Sequence, residues 1–177
     1  PGYRKPDTGY RLNMNEIQYI GEQLMPGQIG HFLVVVQFTA ALLAAIAYAL
    51  GTQTRHQTNI AYYWNKIGKN AYIVHGLAVF GVIGMIFYLM INQRYEYNYV
   101  WEHVSDDLPF RYIFSAFWEG QEGSFLLWMF WHVILGYILL SKAKKWEAPV
   151  MSTLSMIQVF IGSMILGIYF GWGEDPL

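Results

Sequence analysis

Three histidines lie in or beside long apolar runs, where an ionisable side chain is costly. His31 lies near the start of the first run, His75 near the start of the second and His132 near the middle of the third. Paired imidazoles from two helices can ligate a haem iron, which makes each histidine a functional candidate. The alternative for each is a neutral histidine that is hydrogen-bonded to a neighbouring helix. No pair at ligand spacing lies within one helix, which argues against a metal site formed by this chain alone.

A second candidate is the stretch FWEGQEGSFLLWMFWH, residues 117–132, where a polar turn meets an apolar run. We expect the turn to start a helix, with Ser124 or Glu122 as the N-cap and the charge of Glu122 favourable there. Glycines 120 and 123 are expected to supply backbone angles that other residues resist. A well-capped interfacial turn and a functional site explain these residues about equally.

Tryptophans flank the same turn. Trp118 and Trp128 bracket it with flat aromatic surface that tolerates contact with water. Trp128 lies one turn before His132 on the same helix face, where its indole ring could pack against a planar cofactor.

Composition favours a membrane protein. Hydrophobic residues make up 55% of the 177 residues and charged residues 13%. Four apolar stretches approach the ~20 residues that a membrane-spanning helix needs. We therefore predict an all-α integral membrane protein with four transmembrane helices and a long outer-face loop between the second and third. The predicted spans are residues 28–50, 71–91, 124–141 and 150–172.

The remaining composition excludes several classes of site. The formal net charge is −1 and the basic residues are scattered, so nothing indicates nucleic-acid binding. The chain has no cysteine, which excludes disulfides and thiolate metal sites.

Charges in the predicted loops orient the spans. The two loops at one end carry six basic residues and one acidic residue, so we expect them to be cytoplasmic. These residues are Arg55, Lys66, Lys69, Lys142, Lys144 and Lys145, against Glu147. The loop 92–123 is acidic, so we expect this loop and both termini to face outward. Its charged residues are Glu96, Glu102, Asp106, Asp107, Glu119 and Glu122, against Arg94 and Arg111.

We divide the chain into an N-terminal outer segment, residues 1–27, and a four-helix transmembrane region, residues 28–177. Met14 opens a sequence typical of a natural start before a span, so residues 1–13 are interpreted as upstream or non-native sequence. The first two dozen residues do not have the pattern of a signal peptide.

The stretch LPFRYIFSAFWEGQEGSFLLW, residues 108–128, resembles a segment of the haem lyase subunit of bacterial cytochrome c maturation, in the CcmF/CcsA family of haem-handling membrane proteins. Its pattern is Trp-Gly-x-x-Glu-Gly-Ser-Leu-Leu-Leu-Trp. The N-terminal MPGQIGHFLVVV resembles the family's usual opening. The residues that fall on the pattern are Trp118, Glu122, Gly123, Ser124, Leu126, Leu127 and Trp128.

The resemblance implies a bacterial inner-membrane haem lyase. It would receive haem from a haem chaperone, hold it at the outer face with other maturation subunits, and present it for thioether attachment to apocytochrome c. The chain would form the N-terminal scaffold, with His132 as a further haem-binding candidate and no catalytic residue of its own. The residues expected to support the haem platform, and not to ligate iron, are Trp118, Glu122, Gly123, Ser124 and Trp128.

Departures from the family pattern limit this interpretation. Glu119 replaces a glycine, and Gln121 stands where a histidine is common. The family's tryptophan-rich haem motif and haem ligands lie beyond the fourth span, so we expect a fragment of a larger lyase that is inactive alone and binds haem weakly or not at all.

Two other hypotheses stay open. One is a non-catalytic membrane anchor or transporter subunit whose acidic outer loop docks a basic partner. The other is a four-helix b-type cytochrome that uses His75 and His132, although their different expected depths argue against shared ligation.

Overall fold

The fold is an all-α bundle with two short helices at one end. The computed structural model describes residues 24–167 and has no strand among them. The six helices are α1 (Met25–Gln53), α2 (Thr58–Ile91), α3 (Asn98–His103), α4 (Phe110–Glu119), α5 (Gln121–Lys142) and α6 (Glu147–Ile165), and a 3₁₀ turn at Lys144–Trp146 precedes α6.

The prediction of an all-α protein is confirmed for these residues, and each of the four predicted spans coincides with a long helix. Four helical segments are long and apolar enough to cross a membrane: α1, α2, α5, and α6 with its preceding 3₁₀ turn. The 22 residues of α5 rise about 33 Å, which matches a hydrocarbon core of about 30 Å. The part of the predicted fourth span beyond residue 167 lies outside the described residues.

The predicted loop between the first two spans is mostly helix. The prediction started the second span at residue 71, but α2 begins at Thr58 and runs for 34 residues. The reason is packing, because Gly68 on α2 lies against the ring of Tyr48 on α1. Only residues 54–57 connect α1 to α2, and Lys66 and Lys69 lie on the helix.

Small residues let α1 pack closely inside the bundle, where it contacts both α2 and α6. Its buried side chains recur at helical spacing and are mostly alanine. Small side chains allow close backbone approach where lipid supplies no hydrophobic drive. The buried residues of α1 are Gln37, Ala40, Ala41, Ala44, Ala47, Tyr48 and Gly51.

Two tyrosines join α2 to α5 reciprocally. Tyr72 on α2 donates a hydrogen bond to the carbonyl oxygen of His132 on α5 at 2.9 Å, and its ring covers Gly136. Tyr137 on α5 donates to the carbonyl oxygen of Ile73 on α2 at 3.1 Å, and its ring covers Gly76. A Cβ atom at either glycine would overlap the facing ring, so both positions require glycine.

The predicted outer loop, residues 92–123, is also partly helical. It contains α3 and α4, and their apolar sides form a core with the ends of α2 and α5. We call this end of the bundle the loop end, and the end with the two short connections the turn end. The buried residues of the loop-end core are Val82, Leu89, Met90, Val100, Val104, Ile113, Ala116, Phe117 and Leu126.

Candidate functional site at the loop end

Residues 108–128, which resemble the haem lyase family and which we call the family-like stretch, form the corner between α4 and α5. Helix α5 begins at Gln121, its N-cap residue is Gly120, and no side chain caps it. The prediction of Ser124 or Glu122 as the cap is therefore wrong. Ser124 lies inside the first turns, and its Oγ atom donates a hydrogen bond to the carbonyl oxygen of Trp118 at 2.7 Å.

The prediction of unusual backbone angles at the two glycines is also wrong. Gly120 has φ −69° and ψ 150°, and Gly123 is helical without a positive φ. Both glycines are needed for space instead. A Cβ atom at Gly120 would lie 2.8 Å from the ring of Tyr99, and one at Gly123 would overlap the carbonyl oxygen of Phe117.

A cavity of about 350 Å³ opens beside this corner, between α1, α2, α3 and α5. We call it the outer cavity after the predicted outer loop, residues 92–123, beside which it lies, and its volume is within the range of small-ligand sites. The apolar part of its wall includes Val82, Met85, Ile86, Leu89 and Leu126. The polar side chains that line it are His31, Asn98, Tyr99, Glu102 and Glu122.

Charge in the outer cavity is mainly negative. The amide of Asn98 donates to the Glu102 carboxylate at 2.9 Å, and Glu122 lies in the first turn of α5, where the helix dipole favours an anion. Burial raises the pKa of Tyr99 to about 12, the charge of Glu122 adds to the rise, and a backbone hydrogen bond from Gly123 opposes it. The cavity therefore suits a cationic or hydrogen-bond-donating group.

Helix α3 is held in the wall of this cavity by tyrosines. The hydroxyl group of Tyr99 donates to the carbonyl oxygen of Phe117, near the end of α4. The backbone N–H of Gly27, at the start of α1, donates to the hydroxyl oxygen of Tyr97 at 2.9 Å. These bonds connect α3 to α1 and α4.

The structure brings together four of the six predicted site residues. Trp118, Glu122, Gly123 and Ser124 meet at the α4–α5 corner, and of these Glu122 lines the outer cavity. Trp128 lies farther along α5 with 62% of its surface exposed. His132, the sixth, is eight residues beyond Ser124, or about 12 Å along the helix.

Neither His75 nor His132 lines the outer cavity. His75 is fully buried, and its Nδ1 atom lies 2.8 Å from the carbonyl oxygen of Gln37 on α1. This matches the hydrogen-bonded alternative. His132 is half-buried, and its Nδ1 atom is enclosed without a hydrogen-bond partner.

His75 does not fit a haem iron as a ligand in this packing. The side chain of His75 is packed at 0% exposure against α1, and its Nδ1 atom lies against the carbonyl oxygen of Gln37.

Sequence reasoning missed the contribution of α3. Tyr99 was not singled out from the sequence as a site residue, and Glu102 was counted only among the acidic residues of the loop 92–123. Their spacing of three residues would have placed them on one face if a helix had been recognised there. His31 was a candidate, but nothing in the sequence indicated that it would share a cavity with Glu122.

Comparisons with known proteins point to one process. The chain is 27% identical over 106 residues to cytochrome c-type biogenesis protein ccl1 of Rhodobacter capsulatus, which covers 58% of this chain and 15% of that protein. It is 26% identical over 134 residues to cytochrome c-type biogenesis protein NrfE of Haemophilus influenzae, which covers 73% of this chain and 20% of that protein.

The chain thus spans a fifth or less of the length of these curated relatives. No protein-family model matches it, and no solved structure matches it significantly. Both relatives carry a name that agrees with the resemblance recognised in residues 108–128, and this recognition is confirmed: the chain is similar to cytochrome c-type biogenesis proteins.

Proposed function

We propose that this chain acts in cytochrome c biogenesis as the N-terminal membrane scaffold of a haem lyase. The observation that carries the proposal is the similarity to two proteins named for this process. In the proposal the lyase lies in the bacterial inner membrane, with the loop end facing outward. There it receives haem from a haem chaperone and meets apocytochrome c beside other maturation subunits.

Within this scheme, haem supplies the vinyl groups to which cysteine thiols of apocytochrome c add. The described residues act by support and positioning. The α4–α5 corner carries the exposed indole of Trp118 and the cavity-lining Glu122, while Gly123 keeps the two helices in contact. Trp128 and His132 extend the same helix, and in the proposal Trp128 adds aromatic surface beside the haem platform. His132, with its enclosed Nδ1 atom, is the further haem-contact candidate.

Glu122→Gln in the protein as it occurs in the cell tests this role. Glutamine preserves the size and hydrogen-bonding capacity of the side chain and removes only a charge–dipole contribution of ~0.3 to 1 kcal/mol. We expect a severalfold loss of matured c-type cytochrome, detected by haem staining, at unchanged abundance of the variant in the membrane. Normal maturation of cytochrome c in this variant would contradict the proposed role of Glu122 and leave it only a structural role in the first turn of α5.

Glu119→Gln is the matched control. Glu119 is an exposed carboxylate at the end of α4, three residues away, and it does not line the outer cavity. We expect this variant to mature cytochrome c normally, because the proposal depends on the position of Glu122 and not on the net charge of the loop end.

A second candidate function is a non-catalytic membrane subunit that docks a basic partner. The observation that favours it is the acidic balance of the loop 92–123, which carries six carboxylates against Arg94 and Arg111. Long-range attraction depends on total charge and is screened by salt. In this case Glu119→Gln would weaken partner association as much as Glu122→Gln, and both effects would shrink at high ionic strength.

A further inference from the structure

A larger cavity lies at the opposite end of the bundle. It has a volume of about 600 Å³ and lies between the connection from α1 to α2 and the connection from α5 to α6. We call it the turn-end cavity. Its basic lining residues are Arg55, Lys144 and Lys145, which come from both connections.

These cations are not neutralised by ion pairs. Between residues 24 and 167, the structure has a single salt bridge, and it joins Arg94 to Glu96 at the loop end. Glu147 is the one acidic residue of the cavity wall, and its carboxylate accepts a hydrogen bond from Tyr48 at 3.3 Å. Three positive charges against one negative charge leave the cavity with a positive field.

The backbone of the second connection is also unusual. Lys144 has φ 46°, in the left-handed region that glycine adopts most easily. The conformation of the turn thus favours glycine at this position, and does not explain why a lysine stands there.

The cavity is expected at the level of the phosphate groups of a bilayer. Both connections end helices that are long and apolar enough to span a membrane, so they are expected at the headgroup layer. The aromatic rings of Tyr62 and Trp146 line the cavity and are largely exposed, which is typical of side chains at that layer.

We propose that the turn-end cavity binds the phosphate group of an anionic phospholipid, held by Arg55, Lys144 and Lys145. Basic pockets between transmembrane helices bind phospholipid head groups in this way. The first backbone N–H groups of α2, which begins at Thr58 in the cavity wall without a side-chain cap, add donors of suitable polarity. The site is independent of the proposed role of the loop end.

Native mass spectrometry of the full chain, purified from membranes in mild detergent, tests the proposal. The chain is titrated with phosphatidylglycerol and, separately, with zwitterionic phosphatidylcholine. We expect retention of phosphatidylglycerol only. Arg55→Gln and Lys145→Gln should each weaken the binding of phosphatidylglycerol about fivefold. This factor corresponds to about 1 kcal/mol, the contribution of one basic residue near a lipid surface.

Lys142→Gln is the matched control. Lys142 ends α5 in the same connection, carries the same charge and does not line the cavity. It should retain lipid like the unaltered chain, and Lys145→Arg should do so as well. Equal weakening by Lys142→Gln, or equal retention of phosphatidylcholine, would overturn the site. Inorganic phosphate that displaces the lipid at equal concentration would assign the cavity to free phosphate and overturn the lipid.

Discussion

Gly123 on α5 lies against the carbonyl oxygen of Phe117 on α4 so closely that a Cβ atom at position 123 would overlap that oxygen. The same carbonyl accepts the hydrogen bond of Tyr99 from α3. One backbone oxygen therefore joins three helices at the corner formed by the family-like stretch.

We expect Gly123→Ala to destabilise the protein by about 1 to 3 kcal/mol, the usual cost of overpacking a close contact. The measurement is the free energy of unfolding in detergent. Gly84→Ala is the control, because a Cβ atom at this glycine of α2 meets nothing within 4 Å. It should be neutral or slightly stabilising, since alanine favours helix. Equal effects of both substitutions would contradict the corner packing.

The reciprocal tyrosines of α2 and α5 give a second prediction. Tyr72→Phe and Tyr137→Phe each remove one interhelical hydrogen bond and should cost about 0.6 to 1.7 kcal/mol in a denaturation series with sodium dodecyl sulfate. Tyr62→Phe is the control because Tyr62 is 62% exposed, and it should have no effect. No loss in either Tyr72 or Tyr137 variants would show that these bonds do not stabilise the bundle.

Orientation gives a third prediction. The chain has no cysteine, so single cysteines at Gln57 and Ser105 report the two ends without background. Both positions are exposed. An impermeant thiol reagent applied from outside should label Ser105→Cys and spare Gln57→Cys, because the basic connections are expected to be cytoplasmic. Preferential labelling at position 57 would reverse the orientation.

The fourth prediction is that alkaline pH destabilises the folded protein by ionising the hydroxyl group of Tyr99. Its pKa is about 12 in the folded protein, against an ordinary value of 10.0, chiefly because it is buried. The folded state therefore holds this proton more tightly. The resulting stabilisation is fully present below pH 10 and is lost as the pH rises from 10 towards 12.

An ultraviolet difference titration between the unaltered protein and Tyr99→Phe should isolate this ionisation near pH 12. Glu122→Gln should move it lower, because the charge of Glu122 contributes to the rise. An ionisation of Tyr99 near 10, unaffected by Glu122→Gln, would contradict the burial of the hydroxyl group and its proximity to the carboxylate.

The four membrane-spanning helices could be predicted because apolar length is a property of each segment by itself. The helix that starts within residues 117–132 was predicted for the same reason, although its first residue is Gln121 and not Ser124. The predicted helix boundaries were wrong where packing extends a helix beyond its apolar residues. The clearest case is α2, whose first twelve residues include Lys66 and Lys69 and pack beside the end of α1.

The sequence by itself determined the class of protein, the number of spans and the stretch that resembles cytochrome c-type biogenesis proteins. Only the tertiary structure decided why Gly120 and Gly123 are glycines, since the limit is the space beside Tyr99 and Phe117 and not the backbone angle. It also decided that Glu122 shares a cavity with His31 and Glu102. Such a cavity depends on how separate helices pack, and no local pattern of residues encodes that packing.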